Sequence, residues 1–210
     1  MLSANPEKKN PIPIRMWLFV KHTGSAESIM IAWAIACGHI RAGLVTAADL
    51  DALYREAGLT AFVGVRAGDH LIYIAEAGSD LMSGFEAQYN IRRGLLTTAG
   101  GKALLAALPE TELHAFLRRR AQEEKPDVDA FLEALPSIRD SKIAINVNPT
   151  RSRTGLATVI SGAHGHAVAA VTLVGPTTQV LPRLESLSEL LRQRAEAWRE
   201  RSTAATREPI

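Results

Sequence analysis

The sequence is most informative first in what it lacks. A single cysteine, Cys37, among 210 residues excludes an internal disulfide and a multi-cysteine zinc site within one chain, and fits a reducing cytoplasm. The longest apolar stretch, Ile29 to Cys37, falls well short of the roughly 20 residues that span a bilayer. The apolar patch Met16 to Val20 is too short for a signal-peptide core and has no small-residue cleavage site after it. Charge of one sign is also missing. The formal net charge is +2, whereas an electrostatic nucleic-acid binder shows a clear basic excess or patch. No internal repeat is present. What remains, 47% apolar and 22% charged residues, is ordinary globular composition with enough chain for one real core.

Residues 1–24, with Pro6, Pro11 and Pro13, read as an extended or disordered lead-in. Ser25 to Arg41 reads as a helix that is apolar nearly all round (Ile29, Met30, Ile31, Trp33, Ile35, Ile40) and so needs cover on most faces. A partner subunit could supply it, and residues 25–44 are taken as a linker and oligomerisation helix. Thr46 with Asp49 three residues on predicts a helix start, Leu50, Leu53, Tyr54 and Ala57 follow at helical spacing, and Gly58 ends it. Ala61, Val63 and Val65 alternate, Ala67-Gly68-Asp69 turns, and Leu71 to Ile74 returns as a hairpin. Met82 to Tyr89 is a further possible strand.

A helix opens at Thr97-Thr98-Ala99-Gly100-Gly101-Lys102 and runs to Pro109. Two more follow, with stripes Leu113, Phe116, Leu117 and Val128, Phe131, Leu132, Leu135, Ile138. Strands then cover Ile143 to Val147, Arg153 to Ile160 and Ala167 to Val174, the last two joined by a loop at 161–166. A final helix carries Leu184, Leu187, Leu191, Ala195 and Trp198, and 202–210 reads as a disordered tail. Hairpin-joined strands and segregated helices predict an α+β fold, with helices packed against an antiparallel sheet.

Chemically, the stretch before the third helix says most. A helix start leaves backbone N–H groups unpaired, glycine permits close approach to them, and the helix dipole favours a carboxylate or another small anion there. Thr98 could cap the helix or hydrogen-bond a ligand. The same residues also have plain structural uses. Threonine before a helix is an ordinary N-cap, Gly100 and Gly101 permit close helix–sheet packing, and Asn146 suits a turn or an edge strand.

Other signals carry less. Gly101-Lys102 lacks the earlier glycine of a phosphate loop, since position 96 is Leu, and residue 103 is Ala rather than Ser or Thr. His164-Gly165-His166 offers too few ligands for a metal site. Cys37 reads as packing, and no Gly-x-Ser-x-Gly elbow occurs. Arg118-Arg119-Arg120 is followed by Glu123 and Glu124 and reads as a solvated helix face. No residue is assigned a catalytic role, and no metal or cofactor is expected.

Three stretches taken in order carry a family resemblance over residues 45–201. They are Ala57 to Val65 followed by Leu71 to Ile74, then Thr97 to Pro109, then Ile138-Arg139 with Ala169 to Pro176. Together they resemble the effector-binding domain of IclR-type transcriptional regulators. The resemblance implies a GAF-like fold, a small-molecule effector, dimers or tetramers, and an effector pocket lined by the loop at Thr97, Thr98, Ala99 and Gly100. Asn146, Thr154 and Thr172, on strands expected to face that loop, and the apolar residues Phe62 and Met82 complete the candidate site. The chain departs from the family at Leu96, where histidine is usual, at Asn146, where an acidic residue is common, and at Val174, where serine is usual.

Family regulators also carry a winged helix-turn-helix of about 50 residues or more by mean element lengths. Only 24 proline-broken residues precede Ser25, so no recognition helix is expected, and DNA contact would need a unit outside this sequence. The chain is then either a piece of a longer regulator or a sensor without a reader. The reading is a cytoplasmic sensor of an organic anion or aromatic acid that signals through oligomer contacts. An enzyme on a GAF-like scaffold, or a structural partner that forms mixed oligomers with full-length regulators, are the alternatives.

Overall fold

The computed structural model describes residues 45–78, 93–162 and 165–207. The expected helix over Ser25 to Arg41 with Cys37, and the Met82–Tyr89 strand, lie outside the described residues.

Helix α1 (Ala47–Ala57) begins as its sequence requires. The Thr46 hydroxyl accepts from Asp49 N at 3.2 Å while Asp49 Oδ2 accepts from Thr46 N at 2.8 Å, a reciprocal capping box. It ends at Gly58, whose φ of 65° is the left-handed conformation that glycine adopts without steric penalty. Strands β1 (Thr60–Ala67) and β2 (His70–Ala77) form the expected hairpin, with an irregularity at Val63/Gly64, and a two-residue strand β3 (Arg93–Gly94) flanks β2.

Three helices come next: α2 (Ala99–Ala106), α3 (Glu110–Arg120) and α4 (Lys125–Ser141). Strands β4 (Ala144–Asn148), β5 (Arg153–Ser161) and β6 (Ala167–Pro176) follow, then the short α5 (Thr177–Val180), a 3-10 turn (Leu181–Arg183) and the long α6 (Leu184–Arg207). The strands make one six-stranded sheet in the order β3-β2-β1-β6-β5-β4, every neighbouring pair antiparallel. Sequence-distant β1 and β6 meet at its centre.

Helices cover both faces, so the central strands are buried on both sides. One face packs Ala61, Val63, Leu156, Val171 and Leu173 against Leu50 and Leu53 of α1 and Leu187, Leu191 and Trp198 of α6. The other packs Leu71, Ala157 and Ala170 against Leu104 and Leu105 of α2, Leu113 and Phe116 of α3, and Phe131 and Ile138 of α4. The expected stripe on α4 needs one correction. Leu132 is 46% exposed, because Val128, Phe131, Leu135 and Ile138 already define the inward face at i, i+3, i+7 and i+10, and Leu132 falls beside it. Helix α6 continues to Arg207, beyond the boundary expected at 201. Among the described residues, no helix is long and apolar enough to cross a membrane.

Candidate functional site

The turn between β3 and α2 positions the helix entrance. Thr97 and Thr98 both donate their hydroxyls to Gly94 O, at 3.4 Å and 2.9 Å, which folds the turn back on itself. Thr98 is the N-cap, with φ −128° and ψ 148°, and its hydroxyl oxygen accepts from Gly101 N at 3.2 Å. The helical ladder begins with Lys102 N to Thr98 O at 2.9 Å. The cap therefore satisfies Gly101. Among the described residues nothing takes the amides of Ala99 and Gly100, although both residues are buried.

The two glycines serve packing, not an open approach for a ligand, which corrects one expectation. A Cβ on Gly100 would stand 2.8 Å from Thr172 Oγ1 and 3.3 Å from Leu71 Cδ2, and one on Gly101 would meet the Leu95 backbone at 2.3 Å. Gly100 lets the first turn of α2 lie directly on the sheet, and Gly101 lets the turn at Leu95 close against the helix. The Gly100 amide still points out of the helix entrance, since the N–H of an N-terminal residue is directed along the axis.

Strand register sorts the remaining residues by face. Phe62, Thr172, Ala157 and Ala144 form one cross-strand row, and Thr60, Val174, Gly155 and Asn146 form the next. Both rows face α2: Thr172 lies under Gly100, and a Cβ on Gly155 would lie 3.4 Å from that of Ala99. Thr154 belongs to the opposite face. It shares the side of Leu156 and Ile160, and its hydroxyl shares a 3.0 Å hydrogen bond with that of Thr177 on α5. The expectation that Thr154 faces the Thr97–Gly100 loop is thus corrected by one step of strand alternation. Met82 lies outside the described residues.

Around the entrance the α2 face is polar in a particular way. Asn146 Oδ1 accepts from Lys102 Nζ at 2.9 Å. Lys102 is not among the site residues expected from the sequence. It is half-buried, and burial pushes its ammonium below the ordinary lysine range against the opposing attraction of Asp127. No carboxylate lies within ion-pair distance of it among the described residues. Thr172 is 1% exposed, and its hydroxyl has no hydrogen-bond partner among the described residues.

Phe62, also 1% exposed, packs against Tyr73, their ring centroids 4.8 Å apart at an interplanar angle of 38°. Burial raises the Tyr73 hydroxyl to about 12, partly offset by Arg93, which keeps it a neutral phenol. Sequence reasoning also missed Tyr73, although its place opposite Gly64 puts it on the same side as Phe62. The assembled groups are hydrogen-bond donors, a cation and aromatic surface, with the carboxylate residue Glu76 opposite Phe62 in the same cross-strand row. Among the described residues there is no group of three His, Cys, Asp or Glu able to hold a metal. The His114–Glu110 pair at 3.4 Å sits on exposed α3, away from this entrance.

Comparison with known proteins bears on the fold and the family. No match was found among curated proteins. Among solved structures, the IclR protein of Thermotoga maritima superposes with a TM-score of 0.67 at 20% identity, covering 81% of this chain and 74% of that one. The C-terminal domain of the Escherichia coli transcriptional regulator KdgR gives 0.61 at 20% identity, over 74% and 94% of the two chains. The inducer-binding domain of the PobR transcription factor from Acinetobacter, a double mutant in complex with 3-hydroxybenzoic acid, gives 0.60 at 20% identity, over 72% and 94%. At these identities the likeness shows the fold alone. The model of the family described as bacterial transcriptional regulator IclR C-terminal matches residues 39–199, and the chain belongs to that family.

Proposed function

We propose that the chain is the ligand-sensing domain of a cytoplasmic transcriptional regulator, and that its effector is a small organic anion bound at the entrance of α2. One observation carries the reading. Two buried helix-start amides, Ala99 and Gly100, stand without partners among the described residues, and half-buried Lys102 of the same helix has no carboxylate within ion-pair distance among them. Buried donors and charges left unmatched are costly, and a bound carboxylate would relieve both while gaining from the helix dipole. Thr172 would donate its hydroxyl, Asn146 would hold Lys102 in place, and Phe62 with Tyr73 would face an aromatic or aliphatic body. The 3-hydroxybenzoic acid carried by the PobR domain is a molecule of this kind. Thr97 and Thr98 shape the turn, and Thr154 has no part in the site.

Occupancy would act through contacts between copies, and a ligand can shift an assembly only by binding its states unequally. The DNA-reading unit would be contributed from outside the described domain.

The test is a thermal-shift screen of aromatic and aliphatic carboxylates against the whole chain, since binding to the native state raises apparent stability. At a concentration 100 times Kd the gain is about 2.7 kcal/mol. Carboxylates should shift the transition, and their uncharged amides should not. Equal shifts with acid and amide, or none with any acid, would contradict the proposal.

A further inference from the structure

The arginines on the α2 side of the sheet differ in how their charge is met. Arg66 pairs with Glu112 at 3.5 Å, and Arg119 and Arg120 each pair with Asp69 at 3.2 Å. Arg93 does not follow them. It is half-buried on β3, and among the described residues no hydrogen bond or ion pair engages its guanidinium. Burying a charge without a partner is costly. Arg93 pairs with Leu71 in the sheet, which puts both side chains on the α2 face.

Its position ties it to the helix entrance. Gly94, the next residue, accepts the hydroxyl bonds of Thr97 and Thr98 that fold the turn into α2. Leu71 Cδ2 stands 3.3 Å from the place a Cβ on Gly100 would take. Tyr73 is the next side chain of β2 on this face, about 7 Å further along the strand. The charge of Arg93 acts on its phenol, and the Tyr73 hydroxyl has no hydrogen-bond partner among the described residues. A closed circuit of neighbours therefore runs from Gly100 through Leu71, Tyr73, Phe62 and Thr172 back to Gly100. Arg93 stands beside it on β3, while Lys102 reaches Asn146 at the opposite edge of the sheet.

We propose that Arg93 is a second anion anchor and that the effector is a dicarboxylate. One acid group would take the Ala99 and Gly100 amides, and the other would take Arg93 beside the Tyr73 hydroxyl. This rests on the reading of the α2 entrance as a carboxylate site, and narrows it. A guanidinium presents its donors in a fixed fork that matches a carboxylate, and the neutral phenol adds one more. Glu76 bounds the site at its far end. It follows Tyr73 on this face of β2, opposite Phe62, so an acid group carried past Tyr73 meets another carboxylate.

The experiment is calorimetric titration of the whole chain with matched pairs, adipate against hexanoate and isophthalate against benzoate. At least one dicarboxylate should bind about tenfold or more tighter than its monocarboxylate, the lower end for a hydrogen bond to a charged group. Arg93→Gln should bring the two Kd values of that pair together, and Arg93→Lys should keep part of the difference. Monocarboxylates that bind as tightly as their dicarboxylates would overturn the second anchor and leave the first in place, as would a difference unchanged in Arg93→Gln. If neither member of any pair binds, the entrance reading fails as well. The wild-type comparison needs no variant, so the test stands even where a substitution unfolds the chain.

Discussion

The two faces of the sheet carry similar residues and treat them differently. On the α6 face the buried threonines of β5 are both engaged: Thr154 with Thr177, and Thr158 with Lys142 O at 2.7 Å. Charged groups tie that layer together at its rim, where Arg201 meets Asp49 at 2.7 Å, Arg194 meets Glu56, and Arg183 donates to Ala57 O at 2.9 Å. On the α2 face Thr172 is as buried as Thr154, yet its hydroxyl has no partner among the described residues, and Lys102 sits half-buried with no carboxylate within ion-pair distance among them. A face whose polar groups are matched internally can only hold the fold. The α2 face leaves donors open among the described residues, and the proposed function rests on that contrast.

Substitutions on the two faces should separate stability from binding. The largest effect is expected at Leu191, fully buried between α6 and the sheet. Leu191→Ala should cost about 2–5 kcal/mol in urea unfolding and leave the carboxylate affinity of the folded fraction unchanged. If affinity falls in step with stability, the two faces are not separate in function.

Next in size, Lys102→Met should weaken carboxylate binding by about 1.5–3 kcal/mol, the range for a hydrogen bond to a charged group, without loss of melting temperature. Calorimetric titration would show this directly, and an unaltered Kd would remove Lys102 from the site. The smallest difference compares two threonines. Thr154→Val breaks an existing hydrogen bond and should destabilise by about 1 kcal/mol. Thr172→Val removes a hydroxyl with no partner among the described residues, so it should be neutral or stabilising without ligand and weaken binding when ligand is present.

The pH dependence sharpens the comparison. Lys102 has a folded pKa held below its ordinary value, mainly by burial. The unfolded chain therefore holds that proton more tightly, so this group's contribution to stability rises with pH up to the unfolded lysine value and is lost as pH falls through the folded one. Binding runs the opposite way: carboxylate affinity should decline once pH passes the folded pKa, and Lys102→Met should abolish that decline. Asp49 behaves as a separate control on the α6 side. Its pKa is lowered despite the desolvation that raises it, through hydrogen bonds with Arg201 and Thr46. Its contribution is present above the unfolded carboxylate value and lost on acidification.

Much of the fold could be read from the sequence because local signals agreed. Thr46, Asp49 and Gly58 bracket α1, and the Ala67-Gly68-Asp69 turn sets the first hairpin. The helix entrance was readable for the same reason, since Thr98 is a cap by chemistry alone. Thr154 was not. Its strand, Arg153 to Ser161, is buried on both sides and lacks the apolar–polar alternation that assigns a residue to one face. Lys102 was missed because a lone lysine on a helix reads as solvated. Only the pairing of β4 with β5 brings Asn146 beside it. Gly100 allowed two readings, close packing or ligand approach, and the distance to Thr172 decides for packing.

The central claim is that free amides at the α2 entrance receive a carboxylate, and amide-resolved NMR tests it most directly. A titration of the whole chain with 3-hydroxybenzoate and a panel of small carboxylates should move the Ala99 and Gly100 amide resonances saturably, by more than that of the capped Gly101. If every acid leaves those two signals in place, or the largest shifts fall on the α6 face, the account is wrong.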